Sequence, residues 1–138
     1  MNRILGIGSP FGADQLGWIA IDMLLTCHLP NSELIKLDRP GSALLDYFRG
    51  VNRVILIDAV EKNIRPGCVG LVQVEQLDQV RCLTSSHGFG VAEAVALASQ
   101  LGELPPELHL IGIQTGMDIS QVPAFDAPAL ESLVRELI

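Results

Sequence analysis

Apolar runs separated by glycine, proline and polar turns divide the chain into alternating short strands and helices. Residues 3–8 form a first strand. After a turn through Ser9, Pro10 and Gly12, the apolar residues Trp18, Ile19, Ile21, Met23, Leu24 and Leu25 recur at helical spacing, which predicts a helix over about 15–27. A second strand over 33–37 ends at Asp38-Arg39-Pro40-Gly41, where Ser42 is placed to cap a helix over 43–48 that Gly50 closes. Residues 53–58 are an apolar run of the kind buried on both faces, the mark of a central strand in a parallel sheet. The strand over 67–74 follows after only a short polar loop, so it is expected to be antiparallel or at an edge. A helix over 91–101 ended by Gly102, a strand over 108–113 and a helix over 127–138 with Pro128 in its first turn complete the pattern. The order βαβαββαβα predicts an α/β fold, a three-layer α/β/α sandwich on a five-stranded, mostly parallel sheet with one antiparallel strand, in a single domain over 1–138.

Composition narrows the partners. Hydrophobic residues make up 49% of the chain and charged residues 18%, enough apolar material for a packed core, and with one Trp, one Tyr and four Phe that core is aliphatic. A formal charge of -7 with nine scattered Lys and Arg argues against a nucleic-acid partner, because neutralising phosphates requires clustered cations. Cys27, Cys68 and Cys82 are odd in number and lack a C-x-x-C pair, so they read as reduced thiols of a cytoplasmic protein rather than a disulfide framework or zinc clip. No signal segment is visible and no apolar run approaches the ~20 residues of a membrane span, so no membrane partner is expected. A monomer is the default expectation.

Three chemically capable groups fall in loops beyond the carboxyl ends of predicted strands, where an open α/β sheet binds ligands. They are Asp14 in the first turn, Asp58 at the end of the central strand and His87 in the Ser85-Ser86-His87-Gly88 turn. Each has a structural reading: a helix N-cap for Asp14, a hydrogen-bond hub for Asp58, a structural imidazole for His87. Taken together, two carboxylates and one imidazole form a mixed N/O set suited to a first-row divalent metal, with positions left for water or substrate. His28 and His109 lack such company and read as structural. Gly6-Ile7-Gly8 also suggests a dinucleotide turn. Against that, Phe11 occupies the third glycine's place, Asp14 would repel a pyrophosphate, and the chain leaves no room for a substrate domain. No cysteine lies in a turn suited to a nucleophile.

The spaced combination of Gly6-Ile7-Gly8-Ser9-Pro10 with Asp14 and Gly17, Pro40-Gly41, Val54-Ile55-Leu56-Ile57-Asp58-Ala59, Ser86-His87-Gly88 and Ile111-Gly112-Ile113-Gln114 resembles the hydrogenase maturation endopeptidases. That resemblance implies a protease that removes the C-terminal extension of a nickel–iron hydrogenase large-subunit precursor once nickel is inserted. It further implies that Asp14, Asp58 and His87 are both the catalytic set and the contacts to a nickel ion supplied by the substrate. Two departures stand out: Ser9 replaces the family's usual Asn, and Ala13-Asp14 replaces a pair of acids in a turn one residue short. Aligning Asp14 with the second acid preserves its spacing to Gly17; a different gap would put Gln15 in the ligand position. The general base is unassigned, with Asp38 near the same edge but suited to a turn. A non-catalytic nickel- or nucleotide-binding assembly chaperone is the alternative from another functional class.

Overall fold

The computed structural model describes residues 1–61, 64–79, 81–82 and 89–138. Its strands are β1 (Asn2–Gly8), β2 (Ser32–Asp38), β3 (Arg53–Glu61), β4 (Val69–Val72), β5 (Arg81–Cys82) and β6 (Glu107–Gln114). Its α-helices are α1 (Leu16–Leu25), α2 (Val91–Leu101) and α3 (Ala127–Leu137). The five expected strands run in the order β2-β1-β3-β6-β4, and β5 attaches to β3 beside that path. β2, β1, β3 and β6 are mutually parallel, while β4 pairs antiparallel with β6 at the edge, as its short connection predicted.

Alternation along β3 divides the core into two layers. Val54, Leu56 and Val60 join one apolar cluster with residues of α2 and of the segment Gly41–Phe48. Ile55, Ile57 and Ala59 join the other, with residues of α1 and α3. All six are at most 1% exposed, so an apolar run broken only by Asp58 is what a strand covered on both faces requires. In α2 the buried positions Val91, Ala94, Val95 and Ala98 form one stripe at helical spacing, and Gly102 closes the helix at φ 69°. In α3 the Asp126 carboxylate caps the helix by accepting from the Ala129 N–H at 3.0 Å.

Two expectations need correction, and two elements were not foreseen. The predicted first helix begins as a 3-10 turn, Gly12–Gln15, before α1 proper. Residues 41–48 are 3-10 rather than α, with Pro40 at the N-cap and no side-chain capping bond from Ser42. Gly41 at φ 56° directly after the Arg39-Pro40 turn starts this segment, and its apolar side chains Leu44, Leu45 and Phe48 still reach the core. The 3-10 segment Val74–Gln79 and β5 carried no sequence signal, because their polar-rich letters lack either period.

Candidate active site

In the order 2-1-3-6, the chain leaves β1 toward β2 on one side and leaves β3 toward β6 on the other, so the strand order reverses between β1 and β3. Their carboxyl ends therefore border the crevice where such sheets bind ligands. Asp14 follows β1 and Asp58 lies near the end of β3, which places both at this reversal.

Glycines let the first turn sit close to both strands. A methyl group on Gly17 would clash with the Ile7 carbonyl oxygen and lie 2.8 Å from that of Ile57, so the start of α1 wedges over β1 and β3. At Gly6 and Gly8 the space a side chain would fill is taken by Gly17 and Ile21, and by Asp14 and Trp18. These two glycines thus serve the approach of helix to sheet, a packing role that requires no pyrophosphate. Asp14 is not the predicted helix N-cap: the N-cap of α1 is Gln15, without a side-chain bond. The Asp14 carboxylate turns back instead, with Oδ2 2.5 Å from the Ser9 hydroxyl and Oδ1 buried without a hydrogen-bond partner among the described residues.

Asp58 is 0% exposed. By strand alternation it points to the same side of the sheet as Leu56 and Val60, toward the layer of α2. The antiparallel register Val60↔Cys82 sets Cys82 on that side, diagonal to Asp58. Burial, then the neighbouring Asp58 charge and a side-chain hydrogen bond to it, push the Cys82 thiol far above its ordinary range. Sequence reasoning passed over this contact, since it depends on a two-residue strand. His87 lies outside the described residues. Among those described, no group of three or more His, Cys, Asp or Glu side chains is placed to hold a metal ion.

At the tip of β2, Arg39 adopts φ 41° and its N–H donates to the Gly8 carbonyl at 3.1 Å, tying the two turns together. Its guanidinium pairs with Asp38 at 2.7 Å and stands 5.8 Å over the Phe11 ring. The hydrogen bond and charge of Asp38, with a smaller contribution from Asp14, hold the Arg39 guanidinium above its ordinary value. Asp38 is thereby engaged in its own turn, as expected. A cavity of about 110 Å³ lies beside this point, between Arg39, Pro40 and Gly41 on one wall and Phe89 and Gly90 on the other. His28 is exposed at φ 52° after α1, and His109 sits early in β6, 3.5 Å from Glu107, so neither joins the crevice.

The loop after β6 closes over the same edge. Its Ile119 carbonyl accepts from the Ala13 N–H at 2.8 Å, and the Asp126 N–H donates to the Gly67 carbonyl at 3.2 Å. Met117, Ile119 and Val122 of this loop, and Phe11 of the first turn, are exposed. No helix among the described residues is long and apolar enough to cross a membrane.

Comparison with known proteins bears on the family and the fold. A family model described as hydrogenase maturation protease matches residues 28–123. The chain belongs to the hydrogenase maturation protease family. The stretch matched by that family takes in Asp58 and His87 and begins after the first turn. Among curated relatives, the hydrogenase expression/formation protein HupD of Thiocapsa roseopersicina is 32% identical over 80% of this chain and 52% of its own length. The protein of the same name from Bradyrhizobium diazoefficiens is 31% identical over 82% of this chain and 62% of its own. The chain thus spans between half and two thirds of these relatives. Solved structures share the protease-family fold: the hydrogenase maturating endopeptidase HybD of Escherichia coli has a TM-score of 0.73 at 18% identity, covering 99% of this chain and 91% of its own. The [NiFe] hydrogenase maturation protease HybD of Thermococcus kodakarensis has a TM-score of 0.70 at 20% identity, covering 99% and 97%.

Proposed function

We propose that this chain is a cytoplasmic, monomeric endopeptidase that removes the C-terminal extension of a nickel-loaded hydrogenase large-subunit precursor. Family membership supports the class of reaction. The observation that supports the assignment of the site is the Asp14 carboxylate at the β1/β3 reversal, with one oxygen held by Ser9 and Oδ1 buried without a partner among the described residues. A hard oxygen donor left this way suits contact with a cation.

In this reading Asp14, Asp58 and His87 touch the nickel ion that the precursor already carries. Two carboxylates and an imidazole recognise an ion held by another protein, and that contact sets the precursor's chain in register beside them. The ion acts as a Lewis acid on the scissile carbonyl or on water. The reaction then requires no serine, threonine or cysteine nucleophile, and the protonated Cys82 thiol has no nucleophilic part in it.

The test is mass spectrometry of large-subunit precursors, with and without nickel, after incubation with the protein and with its Asp14→Ala and His87→Ala variants. The expected result is loss of a C-terminal peptide only from nickel-loaded precursor. Each variant should lower the rate by roughly 10²–10³, the cost of losing one preorganised electrostatic contact. Precursors of several hydrogenase classes that bind the protein yet all stay uncut would replace the protease with an assembly chaperone.

A further inference from the structure

Ser9, at the tip of β1, is 1% exposed although its side chain is polar. Its N–H donates to the Asp14 carbonyl at 3.1 Å, which closes the first turn. Its hydroxyl oxygen lies 2.5 Å from Asp14 Oδ2 and 3.4 Å from the Phe11 backbone nitrogen. The proton direction follows from the partners: a backbone N–H only donates and an ionised carboxylate only accepts, so the hydroxyl proton goes to Oδ2.

That bond is a direct restraint on the carboxylate. The torsion that turns a carboxylate has broad, two-fold preferences, and Asp14 stands on a 3-10 turn of only four residues, Gly12–Gln15. A short charge-assisted O–H···O⁻ bond restrains that torsion and makes the two oxygens inequivalent. Oδ2 is engaged, and Oδ1 is buried with no donor among the described residues.

We infer that Ser9 is a positioning residue that locks the Asp14 carboxylate so that Oδ1 alone is offered, as a single-oxygen ligand, to the cation it meets. The inference rests on the proposed function, in which that cation is the precursor's nickel. Ser9 touches neither substrate nor metal and acts only through Asp14.

Single-turnover cleavage of nickel-loaded precursor, with enzyme in excess, tests this in the unmodified protein and in Ser9→Ala, Ser9→Thr, Asp14→Ala and the Ser9→Ala/Asp14→Ala double variant. Circular dichroism checks that each is folded. Ser9→Ala is expected to slow cleavage ~10–100-fold, the usual effect of removing a group that orients a ligand. Ser9→Thr, which keeps the hydroxyl, should recover most of the rate, and Ser9→Ala should add no further loss once Asp14 is gone. A Ser9→Ala rate equal to that of the unmodified protein, or the same fold-loss added on top of Asp14→Ala, overturns the inference while leaving the protease intact. An unmodified protein that cuts no nickel-loaded precursor overturns the functional reading and this inference with it.

Discussion

Cys82 and Asp14 owe their surroundings to contacts that residue types alone do not announce. Cys82 is 3% exposed and stands against the Asp58 carboxylate, so its thiolate is disfavoured by both burial and like charge. Iodoacetamide labelling at pH 8.5 followed by peptide mass spectrometry should modify the half-buried Cys27 and Cys68 well before Cys82. Equal labelling of all three would contradict the burial of Cys82. Its raised folded-state value also sets a sign for stability. Above ~8.5 the unfolded thiol ionises while the folded one keeps its proton, so stability falls as pH rises, at up to about 1.4 kcal/mol per unit. Urea unfolding at pH 8 and 10 should show a smaller decline in Cys82→Ala than in the unmodified protein. In the sequence, Asp14 and Asp58 were legible as candidates because each follows an apolar run, although β3 continues to Glu61, past Asp58, where the sequence placed its end. The partners Ser9 and Cys82 were not, because one depends on a turn folding back and the other on a two-residue strand.

At the scale of elements, the strands were legible because burial on both faces of β1, β3 and β6 leaves uninterrupted aliphatic runs. The helix type over 41–48 was not: apolar residues at positions 44, 45 and 48 fit either helix, and the Arg39-Pro40-Gly41 turn leads into the tighter one. Gly17 shows how an element's place, and not its existence, can depend on one missing side chain. Gly17→Ala should destabilise by about 1–3 kcal/mol in urea unfolding, since the added methyl meets strand carbonyl oxygens that a flexible side chain cannot yield for. Gly70→Ala, in β4 with open space where the methyl would go, should stay within about 0.5 kcal/mol. A similar loss at both sites would show that the cost lies in the strands and helix themselves and not in the wedge.

Across the whole molecule, stability should be graded outward from the centre of the sheet. Amide hydrogen exchange is expected to be slowest in β1, β3 and β6, flanked on both sides by strands, and faster in β2 and β4 at the edges. The two carboxylates reach the crevice from different directions. The turn bearing Asp14 belongs to the side of α1, whose neighbour Ala13 lies in that layer, whereas Asp58 faces the layer of α2. On the proposed function, a single ion that met both would do so at the carboxyl edge of the sheet, because the sheet itself separates the two layers everywhere else. A macromolecule carrying that ion would, on the same proposed function, meet the fold end-on, along the strand axes, like a cap lowered onto a rod.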